Sequence, residues 1–238
     1  MMCRNIAALR LKVIDRMNAF TKHKFAWIFY IFSALVLLYY VDHTLQPGYW
    51  IKSLIKVIMF GLVPLFFLIQ DHFDPKVLIK FTEVKWSFYL FCMGIILVIL
   101  AGYFILSAFT SLSNIPELLN QQVKVNLNNF LWVSLYIILI NSVLEEFFFR
   151  FLLIKIFAHK NNLIPHLLSA ILFALYHVAI INQWFETWLF VLIVIGLTLV
   201  GLFFSFLNKG KNGITHSYLI HLSANIGINL VGLILMLQ

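Results

Sequence analysis

Acidic residues are scarce in this chain. It has nine Asp and Glu among 238 residues, with 11% charged and 63% hydrophobic positions. A soluble domain has about 25% charged and 45–50% apolar residues. Nine acids cannot cover a soluble surface of this size, and the class that remains is an integral membrane protein. Cysteine is almost absent too. Cys3 and Cys92 are far apart and belong to no CxxC pattern, which removes a disulfide framework and a cysteine-bound metal knot. Cys92 reads as a small apolar helix residue. Low-complexity tracts, repeats of 20–50 residues and a soluble domain are all missing. The basic start, "MMCRNIAALRLKVIDRMNAF", has no A-x-A cleavage site and reads as a retained cytoplasmic segment, not a signal peptide. The end, "LILMLQ", carries neither a prenylation box nor a retention signal.

What the chain does have is long apolar runs. A helix needs about 20 apolar residues to cross the hydrocarbon core. Seven stretches qualify, at roughly 25–41, 51–70, 87–109, 130–157, 164–182, 187–207 and 214–237. The expected fold is all-α: a polytopic transmembrane helical bundle of about seven spans. A basic cytoplasmic segment, 1–24, precedes a single transmembrane domain, 25–238. The longest link, 110–129, has room for a short interfacial helix.

The net charge of +8 does not point to nucleic acid, because the basic residues fall in short blocks between the apolar runs. Such blocks orient a chain in a bilayer. One side holds Arg4, Arg10, Lys12, Arg16, Lys22, Lys24, Lys76, Lys80, Lys85, Lys155, Lys160, Lys209 and Lys211, and the other holds Lys52, Lys56 and Lys124. With seven spans this places the N-terminus in the cytoplasm and the C-terminus outside. Trp27, Trp50, Trp86, Trp132, Trp184 and Trp188 lie near span ends, as an aromatic belt requires.

Against this apolar background, "NSVLEEFFFRFLL" (141–153) carries two glutamates and an arginine. Each costs about 2.5–3.5 kcal/mol at the centre of a membrane helix, while each Leu, Ile, Phe or Val returns about 0.3–0.6 kcal/mol. Glu146 and Arg150 are four residues apart and share a helical face. Glu145 is turned about 100° from Glu146 and lies above Asn141. One carboxylate is thus expected to pair with arginine and the other to face a polar cavity. His177, in "ILFALYHVAII", and His221 and Asn225, in "YLIHLSANIGIN", are polar residues on other spans. Glu145, His177 and His221 each lie ten to twelve residues from a cytoplasmic marker, Lys155, Pro165 and Lys211 respectively. They therefore share a depth of about 15–18 Å from that side. Each has a plainer reading: a hydrogen-bonded core histidine, a structural acid–arginine pin, or an Asn bonded to a neighbouring helix, which also suits Asn229.

"EEFFFR" (145–150) fits E-E-x-x-x-R, "FALYH" (173–177) fits F-x-x-x-H and "HLSAN" (221–225) fits H-x-x-x-N. In that order, on separate hydrophobic helices, the chain resembles the CPBP family of intramembrane glutamic endopeptidases. That family includes the CAAX prenyl proteases of the Ras-converting type and bacterial bacteriocin-processing (Abi) proteins. The motif-bearing core covers about 130–238, and the best-described relative has eight spans, against the seven counted here. The resemblance implies that Glu145 activates a water and that His177 holds that water with it. It implies that His221 and Asn225 donate hydrogen bonds to the oxyanion, and that Glu146 and Arg150 support the site. No cofactor is implied. The substrate would be a membrane-associated peptide or protein, and the setting a lipid bilayer, with short loops suggesting a bacterial cytoplasmic membrane.

Three rival readings stay open at this point, besides the glutamic protease. Glu and two His could hold zinc, although the chain has no HExxH and an arginine beside the site repels a cation. A non-catalytic scaffold or bacteriocin immunity protein would need the motifs only for structure. A transporter would use intramembrane charges as a relay, but no inverted repeat is visible. The serine and aspartate patterns of other intramembrane proteases, G-x-S-x-G and G-x-G-D, are absent.

Overall fold

A computed structural model describes residues 23–81, 84–158, 163–181, 185–209 and 213–238. The expected segment 1–24 lies almost wholly outside these residues, as do Lys160 and Lys211. Every regular element among the described residues is helical. We number the main ones α1 (Lys24–Leu45), α2 (Tyr49–Gln70), α3 (Trp86–Ser107), α4 (Ile115–Val123), α5 (127–156), α6 (Ile164–Ile181), α7 (Thr187–Leu207) and α8 (Thr215–Leu237).

Five of these, α1, α2, α3, α7 and α8, are long and apolar enough to cross a membrane. The other two expected spans behave differently. The apolar part of α6 is shorter, Ile164–Val178. α5 is one continuous helical run that passes twice through wider π-type turns, at Tyr136–Asn141 and Glu146–Leu153. Such turns are rare and gather at functional sites. α4 occupies the link where a short helix was expected.

Local chemistry explains the element ends. Asn126 opens α5 with a capping box: its side chain accepts from the Asn128 amide at 3.1 Å, and the Asn129 side chain accepts from the Asn126 amide at 2.9 Å. Reciprocal bonding of this kind satisfies amides that a helix start leaves orphaned. Gly48, at φ 92°, turns the chain into α2 in a conformation that suits glycine.

Large apolar side chains cover the outside of the bundle, including Leu97, Val98, Phe104 and Ile105 on α3. Only 11% of the most apolar stretch of α3 is buried, against 39% for α8. α3 is therefore peripheral and α8 central. The main core joins Trp27, Ile31 and Leu38 of α1, Phe60 and Leu68 of α2, Phe147, Phe148 and Phe149 of α5, and Phe173 and Tyr176 of α6.

Small residues set the close approaches, as expected where lipid supplies no hydrophobic drive between helices. A Cβ on Gly201 of α7 would lie 3.1 Å from the Ala170 backbone of α6, and one on Gly227 of α8 would lie 3.1 Å from Ile99 of α3. A Cβ on Gly61 of α2 would lie 2.7 Å from Leu144 of α5. The adjacent Phe60 stacks on Phe148, one turn along α5 from Leu144, at 3.9 Å between ring centroids.

The links gather at two ends. The Ile214 amide donates to the Leu78 carbonyl at 2.7 Å, and the Lys80 amide to Thr215 Oγ1 at 2.7 Å. This joins the link after α2 to the start of α8. At the opposite end Gln238 bonds Tyr103 at 3.2 Å, and Gly48 sits against Lys124. The grouping of links is the one expected from the basic blocks.

Candidate functional site

The Ile137 carbonyl, which the Ser142 amide bonds across the wide turn at Tyr136–Asn141, also accepts from Ser142 Oγ at 3.1 Å and from Asn225 Nδ2 at 3.3 Å. Asn225 Nδ2 also donates to Ser142 Oγ at 2.8 Å. These bonds tie α8 to α5 immediately before the two glutamates. The same helix carries Glu145 and Glu146 to different surroundings, and both side chains are almost fully buried.

Glu145 has one oxygen held and one directed. Oε1 accepts from Lys56 Nζ and from Asn141 Nδ2, both at 3.0 Å. Lys56 Nζ also donates to Asn141 Oδ1 at 2.7 Å, which closes a triangle. Oε2 is buried and has no hydrogen-bond partner among the described residues. It lies 3.8 Å from His177 Nε2 and 3.4 Å from His221 Nε2.

The other ring nitrogens fix the tautomers. His177 Nδ1 is 2.8 Å from the Phe173 carbonyl, which can only accept, so Nδ1 carries the proton. His221 Nδ1 is 2.9 Å from Glu146 Oε1 and donates in the same way. With both rings neutral, each Nε2 is an acceptor. In that state Glu145 Oε2, His177 Nε2 and His221 Nε2 are three acceptors near one another, with no donor between them among the described residues. Such a cluster calls for a proton source at its centre: a water, or one ring in its imidazolium form. His177 is the most exposed member, its side chain 21% accessible.

Glu146 and Arg150 are both fully buried, and Arg150 Nε stands 3.8 Å from Glu146 Oε1. This is an ion pair at long range, not a hydrogen bond. The closer partner of Glu146 is His221. The guanidinium lies over the Phe173 ring at 4.1 Å and is flanked by Phe204 at 5.6 Å and Phe149 at 5.8 Å. Ring faces attract a cation in this way.

The structure thus brings together Glu145, Glu146, Arg150, His177 and His221. It places Asn225 one step aside, bonded to α5, and Asn229 Nδ2 on its own helix at the Asn225 carbonyl, 2.7 Å away. Two expectations change. Glu145 does not stand alone before a cavity, because Lys56 and Asn141 hold half of it. Lys56 does not mark the outer end of α2; it reaches inward, and only Lys52 stays near that end, paired with Asp42 at 3.2 Å. The missed signal was its spacing: Lys56 lies eight residues beyond Gly48, about 12 Å along the helix, too deep for an end marker. Among the described residues no group of three His, Cys, Asp or Glu stands in a metal-holding arrangement.

Residues 127–227, which carry all three motifs, match a family model described as type II CAAX prenyl endopeptidase, Rce1-like. No curated protein and no solved structure matches the chain. The match covers α5 to the middle of α8 and leaves α1 to α4 outside it. Across this segment, which is less than half of the chain, the protein is similar to the CAAX prenyl endopeptidases.

Proposed function

We propose that the protein is an intramembrane endopeptidase that hydrolyses a peptide bond of a membrane-associated peptide or protein, with Glu145 activating the water. The observation that carries this reading is the convergence of Glu145 Oε2 with the two Nε2 atoms, all unprotonated in the neutral state. A water bound there donates one hydrogen to Glu145 and the other to His177. Glu145 takes a proton as the water oxygen bonds to the carbonyl carbon. The carbonyl electrons move to oxygen and give a tetrahedral oxyanion. When the C–N bond breaks, the proton held by Glu145 passes to the leaving amine.

Glu146 accepts from His221 Nδ1–H and so orients the ring, as the acid of a catalytic triad does, and once Nε2 takes up a proton it is placed to donate to the oxyanion. Both N–H groups of Asn225 are engaged by α5 here. In this reading its longer bond, to Ile137, opens so that the amide reaches the oxyanion. Each such donor is worth about 10²–10³ in rate. Lys56 and Arg150 near the carboxylates disfavour a bound cation. The family description supports a substrate anchored near its cleavage site by a lipid or an apolar segment, and short links support a bacterial cytoplasmic membrane as the setting.

The test uses purified protein in detergent with prenylated and acyl-tethered peptides. Cleavage of tethered peptides, unaffected by chelators and lost in Glu145→Ala, is the expected result. Activity that dies with a chelator and returns with zinc would assign the site to a metal. Full biological activity of Glu145→Ala would assign the protein to the scaffold class.

A further inference from the structure

We infer that Lys56 is a positioning residue for Glu145, so that the reacting centre is completed from α2, outside the segment that carries the motifs. This rests on the hydrolytic reading above. Lys56 holds Oε1 at 3.0 Å, and Asn141 holds both the same oxygen and the lysine. With Oε1 fixed by two donors, rotation of the carboxyl group is blocked, and Oε2 stays aimed at His177 and His221. The ammonium also lies 4.8 Å from the centre of the Tyr176 ring, beside His177, and so links α5 to α6.

Packing explains how a lysine reaches this depth. Phe60, one turn beyond Lys56, stacks on Phe148, and Gly61 admits Leu144. α2 is thereby pressed against the face of α5 that bears Asn141 and Glu145. The wider turn of α2 at Val57–Leu62 begins directly after the lysine. The groups that interact with the pair include Tyr49 from α2, Asn141, Tyr136 and Arg150 from α5, Tyr176 and His177 from α6, and His221 from α8. None of these is a second carboxylate, so Lys56 and Glu145 are each other's principal counter-charge. A purely structural lysine would need only some acceptor. This one is placed on the non-reacting oxygen of the base.

The experiment measures two things on the full chain in detergent: thermal unfolding midpoints, and cleavage of an acyl-tethered peptide. Lys56→Met and Lys56→Gln should lower kcat about 10²-fold, the order expected when a reacting group is misplaced by about an ångström. KM should hold, because Lys56 acts on the base and not on substrate. Lys56→Arg should recover part of kcat. The midpoints of Lys56→Met, Glu145→Gln and the double variant should be non-additive, with the double variant less destabilised than the sum. Two results would overturn the inference: unchanged kcat in Lys56→Met and Lys56→Gln, or additive midpoints. A wild-type protein that cleaves nothing while the midpoints remain non-additive would retain the pair and sink the hydrolytic reading instead. Should Lys56→Met fail to fold, Lys56→Gln, which keeps a donor for Asn141, carries the same comparison.

Discussion

Glu145 and Glu146 are adjacent in sequence, yet they meet different neighbours. Glu146 is enclosed with Arg150 and His221, and both members of its ion pair have 0% exposed side chains. Removing one partner of a buried pair leaves the other charge uncompensated, at about 3–5 kcal/mol. Glu146→Gln should therefore lower the unfolding midpoint in detergent substantially, besides slowing cleavage. His177 is different: its side chain is partly exposed and its Nδ1 bonds its own helix, at Phe173. His177→Ala should leave the midpoint nearly unchanged while reducing kcat by about 10²–10⁴-fold, as expected for loss of a group acting in proton transfer. The face shared by Glu145 and Asn141 was legible from helical spacing and is present as a 3.0 Å hydrogen bond. The histidine bonded to Glu146 was not legible, because spacing within one helix says nothing about which side chain a second helix presents. Lys56 was misread for a related reason: a basic residue near a span end resembles an orientation signal until its partner is seen.

At the scale of elements, the site depends on how closely α6 approaches α7 and α2 approaches α5. Gly201 makes the first approach possible, with the Ala170 backbone 3.1 Å from the position of an added Cβ. Gly201→Val should cost about 1–3 kcal/mol by overpacking and reduce cleavage as α6 moves His177. Gly94 on α3 has no atom within 4 Å of its added Cβ. Gly94→Ala should be neutral or stabilising by up to about 1 kcal/mol, since alanine favours a helix. Thermal unfolding of the two variants in one detergent checks both. Apolar length revealed most of the helices, because a span must be long and oily whatever packs on it. It could not reveal the wider turns in α5, where side chains of other helices add to the backbone bonding, as Asn225 does by donating to the Ile137 carbonyl.

For the whole molecule, the two groups of links give the orientation a structural counterpart. The link after α2 meets the start of α8, while the first link meets Lys124 and the chain's last residue meets Tyr103. The expectation from the basic blocks is that the first group lies in the cytoplasm. In a variant lacking Cys3 and Cys92, Ser111→Cys should react with an impermeant maleimide added to intact cells, and Asp74→Cys only after the membrane is opened. The reverse pattern would invert the molecule and put the reacting groups nearer the outer face. The bundle was legible at this scale because composition alone excludes a soluble surface. The contribution of α2 to the site was not, since the motifs all lie between residues 145 and 225.

The most direct measurement is single-turnover cleavage of a membrane-tethered peptide by wild-type protein and by Glu145→Gln, at matched unfolding midpoints. The account predicts a fall of about 10²–10⁴-fold, the range for loss of a general base. A Glu145→Gln protein that turns over at the wild-type rate would contradict it, because the amide cannot take the proton from water.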